Sequence, residues 1–278
     1  MPVMPDTGLA TEELEIDLLL EALFQRFGFD FRSYERGPLR QKVQQLMRER
    51  QLATVSSLQD RVLHEPAASA ALLRALSVQP GGLFDDPEQA RQLRIVLASC
   101  LRASALPKIW LAECASAEEA WSVAILLAEE QLHSRTEIHA TVANSDLLAE
   151  VDSAGIAPER LPLLEERYRQ SGGNGALADY IEIKDGVARL LPQLRARISW
   201  AQYNLVTDAS FNEFQLIVCQ RALPDFGPLL RQRVMRLFHD SLSLFGVIGI
   251  DRPIGDSEEA SAHYQPVFPG QSWYKRIA

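Results

Sequence analysis

Leu14, Leu18, Leu19, Ala22, Leu23 and Phe27 recur at the spacing of one helical face and predict a helix over 11–27, which Gly28 is placed to stop. A second helix is expected after Pro38, with Leu39, Val43, Leu46 and Met47 inward and basic residues outward. Two more are expected over 55–64 and 66–77, and the turn-like run VQPGG at 78–82 closes this all-helical block. A further helix over 86–102 bridges into the next domain.

From Lys108 the pattern changes to short apolar runs alternating with amphipathic ones. Strands are predicted at Ile109–Ala112, Glu137–Val142, Gln215–Cys219 and Phe245–Ile250, and helices at Glu118–Gln131, Asp146–Ser153 and Leu229–Leu242. Such alternation predicts an α/β fold with a mainly parallel, doubly wound sheet. Two short β-rich pieces flank Lys184-Asp185-Gly186, where Asp-Gly is a hairpin signal, so a small antiparallel β-subdomain is expected over 179–200. The expected organisation is a disordered start at 1–10, a helical N-terminal domain at 11–82, a linker helix at 83–105 and a Rossmann-like domain at 106–278.

The 278 residues are 47% hydrophobic, enough for a substantial core, and no apolar run approaches the roughly 20 residues that span a bilayer. The opening MPVMPDTGLATEEL lacks the basic start and apolar centre of a signal peptide, so a cytoplasmic location is expected. Three cysteines and five scattered histidines show no paired metal spacing, and no metal site is predicted. A net charge of −9 argues against nucleic acid as a partner. Charge is unevenly spread: Arg32, Arg36, Arg40, Lys42, Arg48 and Arg50 crowd one short stretch, opposed only by Glu35 and Glu49.

The run KIWLAECASAEEAWSVAILLAEE, residues 108–130, reads as a buried strand, a tight loop and a helix opening on two acids. Trp110, Ala112, Cys114, Ser116, Glu118, Glu119 and Ser122 match a motif of the chemotaxis receptor methyltransferases, Trp-Ser-Ala-Gly-Cys-Ser-Thr-Gly-Glu-Glu-Pro-Tyr-Ser. Other segments fall in the same family order. QPGGLFDDP stands for the linker Asn-x-Thr-x-Phe-Phe-Arg-Asp, and Asn204-Leu205 for the Asn-Leu pair near the adenine. Cys219 to Phe226 stands for Cys-Arg-Asn-Val-Leu-Ile-Tyr-Phe, and FGVIGID and SWYKR for the closing strands. From about Asp17 to Arg276 the chain resembles the CheR family. That resemblance implies a helical N-terminal domain, a Rossmann-like domain with a small β-subdomain, S-adenosylmethionine as cofactor and receptor glutamates as methyl acceptors.

The departures fall on the polar contacts. Glu113 and Ala117 replace two loop glycines, Asp85 replaces an arginine that helps hold the cofactor, and Val142 replaces the ribose-binding aspartate, with Asn144 and Asp146 nearby. Gln220-Arg221 replaces Arg-Asn, and Asp225 stands at the position of the tyrosine associated with transfer, which leaves no catalytic residue to name. Each lost charged hydrogen bond costs about 1.5–3 kcal/mol, so losing several weakens binding by decades. The resemblance therefore implies a degenerate methyltransferase fold acting as a regulatory or binding module in chemosensory-type signalling, with cofactor binding weak or absent. Glu118, Asn204, Leu205, Gln220 and Arg221 mark its residual pocket. Glu118 and Glu119 also read as ordinary first-turn acids favoured by the helix dipole. The alternative is an active protein-glutamate methyltransferase with a rebuilt pocket. A third reading is a pocket made acidic by Glu113, Asp85 and Asp225 that takes a cationic or neutral ligand. The basic helix implies a partner surface: Arg36, Arg40, Lys42 and Arg48 are expected to meet an acidic helical protein such as a chemoreceptor or a related signalling protein. A solvated basic face is the plainer reading of the same residues.

Overall fold

The computed structural model describes residues 7–255 and 259–278. The chain forms two compact units: the chain up to Val78 together with Pro224–Arg233, and Gln79–Leu223 together with Val234–Ala278.

The first unit contains α1 (Thr7–Phe27), α2 (Arg36–Glu49), α3 (Val55–His64) and α4 (Pro66–Leu76). Helix α1 begins before position 11 and takes in part of the expected disordered start, whose residues 1–6 lie outside the described residues. Helix α2 starts ahead of Pro38, which sits in its first turn, where its missing N–H leaves no helical bond unmade. Thr54 caps α3 by accepting from Ser57 N. The core is an apolar cluster including Leu19, Leu23, Val43, Leu58 and Leu72, all fully buried.

The second unit opens with α5 (Pro87–Leu101), capped by Asp86. Next come β1 (Lys108–Ala112), α6 (Ala117–Glu129), β2 (Glu137–Val142), α7 (Ser145–Asp152), α8 (Leu161–Gln170), β3 (Ile181–Lys184), β4 (Val187–Leu190), α9 (Pro192–Arg195), β5 (Ile198–Gln202) and β6 (Phe214–Cys219). Helix α10 (Pro228–Ser241), which begins in the first unit, leads into β7 (Leu242–Ile250), β8 (Tyr264–Pro266) and β9 (Trp273–Arg276). The seven-stranded sheet has the order β5-β2-β1-β6-β7-β9-β8. Its first five strands run parallel, β9 runs antiparallel to β7, and β8 antiparallel to β9. This is the expected Rossmann-like fold with a mainly parallel sheet.

Strands β3 and β4 form the separate antiparallel hairpin, turning at Asp185 and Gly186, both at positive φ. Strand β5, expected within that hairpin region, instead pairs in parallel with β2 as an edge of the main sheet. Helix α8 is an addition to the expected elements, although Leu164 and Tyr168 carry a helical spacing and are both buried.

Trp110 anchors the sheet. It is fully buried, donates from Nε1 to Thr141 Oγ1 at 3.0 Å, and meets Phe214 and Phe238. Trp273 of β9 donates to Gln92 Oε1 of α5 at 2.9 Å, and its ring lies where any Cβ on Gly249 would fall. No described helix is long and apolar enough to cross a membrane.

Candidate functional site

The chain passes from β1 through β2 to β5 and then returns to place β6 on the other side of β1. In such sheets ligands sit at the carboxyl ends of the strands flanking that reversal. Register aligns those ends here: Ala112 pairs with Cys219, and Val142 with Gln202. The loops after β1 and β6 and the first turn of α6 therefore define the candidate site.

The first turn of α6 holds the loop that precedes α5. Glu119 Oε1 accepts from Gly81 N at 3.0 Å, Glu118 Oε2 from Leu83 N at 2.8 Å, and Ser122 Oγ from Phe84 N at 3.0 Å. Ser116 Oγ donates to Gly81 O at 2.5 Å. The two acids are thus loop anchors as well as residues suited to a helix N-terminus. Burial pushes the Glu119 carboxyl up despite its bond from Gly81 N and the Arg221 charge.

Three arginines complete the cluster. Arg160 grips Glu118 with two bonds, Nη1–Oε1 at 2.6 Å and Nη2–Oε2 at 2.9 Å. Asp85 receives one arginine on each oxygen, Arg167 Nη1 at 3.0 Å and Arg221 Nη2 at 3.3 Å. Arg221 Nη1 also lies 3.9 Å from Glu119 Oε1. Sequence reasoning missed Arg160 and Arg167 because they belong to α8 and the turn before it, and only the helical spacing of that segment could have pointed to them. A cavity of about 80 Å³ remains beside this cluster, lined by Phe84, Asp85, Cys114, Glu119, Gln220 and Arg221 among others.

Glu113 behaves differently. It follows β1 at φ +60, a conformation that favours glycine. Its side chain is only 9% exposed, and no hydrogen bond or ion pair reaches it among the described residues. Burial alone pushes its carboxyl up to about 7. The thiols of Cys114 and Cys219 are likewise pushed well up, and the nearby Glu113 and Glu119 add to the effect.

Asn204 and Leu205 follow β5, next to Tyr203, whose N–H bonds Val142 O at 2.9 Å. Leu205 is buried, and the Asn204 side chain accepts from Val206 N at 2.8 Å, a turn-forming role. The Asn144 carboxamide accepts from Leu147 N at 2.9 Å and so caps α7. Glu118, Gln220 and Arg221 therefore gather at the α6 end, while Asn204 and Leu205 belong to the β2–β5 end.

Asp225 belongs to the helical unit. Its carboxylate pairs with Lys42 Nζ at 2.5 Å, and Lys42 also donates to Leu76 O and Ser77 O. Around it Glu35 N bonds Asp225 O, and Gly227 N bonds Ser33 O. Of the three acids expected to line an acidic pocket, Asp225 is paired with Lys42 within the helical unit, and Asp85 with two arginines within the other. On the basic helix, Arg36 pairs with Asp17 and Arg40 with Glu13 of α1. Arg48 is exposed and meets no carboxylate among the described residues. Among the described residues no cluster of His, Cys, Asp and Glu could hold a metal ion.

Residues 83–270 match the family model described as CheR methyltransferase, SAM binding domain. Residues 14–77 match CheR methyltransferase, all-alpha domain. A protein named "Putative methyltransferase Cher3" from Pseudomonas putida is 33% identical over 272 residues, 97% of this chain and 99% of that protein. A protein named chemotaxis protein methyltransferase, from Listeria innocua, is 29% identical over 152 residues, 55% of this chain and 53% of that protein. Among solved structures, the N-methyltransferase NodS from Bradyrhizobium japonicum in complex with S-adenosyl-L-homocysteine covers 80% of this chain and 98% of its own. Its sequence identity is 10% and its TM-score 0.37.

Proposed function

Because this chain belongs to the CheR methyltransferase family, we propose that it is a member whose cofactor site is closed by its own side chains. It serves, in this reading, as a binding or regulatory module in chemosensory-type signalling. The observation that carries the proposal is Glu113, a side chain nine-tenths buried at a position where the family motif has glycine. S-adenosylmethionine does not fit these residues well. A buried carboxyl stands in the strand-end loop, Val142 offers a ribose diol no acceptor, and Asp85 carries a negative charge where the family places a cation. Arg221, a cation that the family motif does not place there, lies against Asp85 and is already engaged. Methyl transfer depends chiefly on holding two reactants together, and a site that does not hold its donor retains little of it.

One observation favours the alternative of an active enzyme with a rebuilt pocket. Arg221 brings a guanidinium beside the position where the family's linker arginine stands. Thermal melting separates the two readings. A ligand present at a thousand times its dissociation constant adds about 4 kcal/mol of stability, or about 8 °C for a protein of this size. Millimolar S-adenosylmethionine and S-adenosylhomocysteine are expected to leave the melting temperature unchanged. A rise of that size with either ligand would favour the rebuilt pocket.

The partner in this proposal is an acidic helical protein surface, a chemoreceptor or a related signalling protein, met through the basic face of α2. Arg36, Arg40 and Lys42 already hold carboxylates of their own unit, which leaves Arg48 as the member with its charge uncommitted.

A further inference from the structure

Arg221 stands at φ +72, a conformation costly for an arginine, and its head lies over Gly81. A Cβ on Gly81 would collide with Nη1, Nη2 and Cζ of that guanidinium. Gly81 is not itself in the left-handed region, so the first obstacle to alanine there is the seated guanidinium, the movable end of the Arg221 side chain, and not the backbone. The polar partners of the head are Asp85 Oδ2 at 3.3 Å, Gln79 O at 3.5 Å and Glu119 Oε1 at 3.9 Å.

The receiving frame is fixed by other bonds. Glu119 is held by Gly81 N and Ala115 N, Asp85 by Arg167, and the loop backbone by Glu118 and Ser122. The contacts to Arg221 are long, and its side chain is 35% exposed. Such a pair is weak and exchangeable, whereas the loop backbone is fixed by its bonds to Glu118, Glu119 and Ser122.

We propose that the Gln79–Asp85 loop and the first turn of α6 form a guanidinium-binding site, which Arg221 fills from within and which accepts an external guanidinium when Arg221 leaves. The inference deepens the reading of a closed cofactor site and rests on it. The occupant is defined by chemistry: a planar cation that meets two carboxylates and a carbonyl above a glycine. In the native chain Arg221 competes at the high effective concentration of a tethered group, so an outside ligand enters only when the loop after β6 is displaced.

The test is chemical rescue of full-length Arg221→Ala, followed by thermal melting in millimolar methylguanidinium, with sodium and tetramethylammonium chloride as ionic controls. A saturable rise of about 1 °C over the controls is expected in the variant and none in the native protein. Adding Asp85→Asn should abolish it. If the alanine variant does not fold, Arg221→Gln is measured in its place. No saturable rise, or an equal rise in the native protein, overturns the proposal. The result is separable from the closed-site reading. Binding of S-adenosylhomocysteine by the native protein would sink that reading, while failed rescue would sink the guanidinium site alone. An arginine-containing peptide run beside methylguanidinium tells a side-chain source from a small-molecule one.

Discussion

Two acids stand at positions where the family motifs call for something else, and they are accommodated in opposite ways. Asp85, in the loop before α5, is partly exposed and carries an arginine on each oxygen. Glu113, after β1, is buried, left-handed and without a polar partner among the described residues. The first is a compensated charge, since its carboxylate is matched by Arg167 and Arg221. The second is uncompensated, and an isolated buried carboxyl destabilises a fold unless it is protonated. Balanced ion pairs around the loop therefore say little about stability, whereas the lone acid stands at the strand end with which the closed-site proposal is concerned.

The largest expected effect breaks the Glu113 side of the comparison. A folded carboxyl at about 7 against 4.5 unfolded binds its proton more tightly in the native state. Its contribution is complete below about pH 4.5 and is lost as pH rises through about 7. The loss amounts to about 3 kcal/mol. Glu113→Gln should therefore gain stability over the native protein progressively between those values, and denaturant melts at pH 5 and pH 8 read the difference directly. A stability difference independent of pH would show that the native carboxyl is solvated.

Next in size is Lys42→Met, which strips Asp225 of its cation and two backbone carbonyls of their donor. With both side chains largely buried, a loss of about 2 kcal/mol is expected in urea unfolding. Asp225→Asn should cost less, because it keeps an acceptor for Lys42. Equal effects would mean that the carbonyl contacts contribute nothing.

The Asp85 side should respond weakly. Exposed pairs of this kind couple by about 0.5 kcal/mol, so a double-mutant cycle of Asp85→Ala and Arg167→Ala should return a value of that order that shrinks in high salt. A coupling several times larger would make the arginine pair as consequential as Glu113. Smallest of all, Arg48→Glu should leave stability within about 0.5 kcal/mol while reducing capture by an acidic partner. Unchanged capture would remove Arg48 from the partner surface.

The frame is legible because packing writes itself into periodicity. Leu19, Leu23, Val43 and Leu58 announce their helices, and the Lys184-Asp185-Gly186 turn announces its hairpin. Strand β5, ISWAQ, escapes recognition as a sheet member: its side chains are exposed or half-buried at an edge, so hydrophobic pattern does not mark it. At the site, aligned motifs locate the changed positions but not the destination of each new side chain. Asp225 turns to Lys42, 183 residues away in sequence. Arg160 and Arg167 arrive from α8 and the turn before it, where local pattern says nothing about neighbours. Long-range pairing of charges leaves no spacing to read.

The most direct test of a closed cofactor site is calorimetric titration of the native protein with S-adenosylhomocysteine. On the closed-site proposal no saturable heat at millimolar ligand is expected, since each charged hydrogen bond absent from the site would cost about a decade or more of affinity. A dissociation constant in the micromolar range would contradict it and would mean that Glu113 and Arg221 move aside for the ligand.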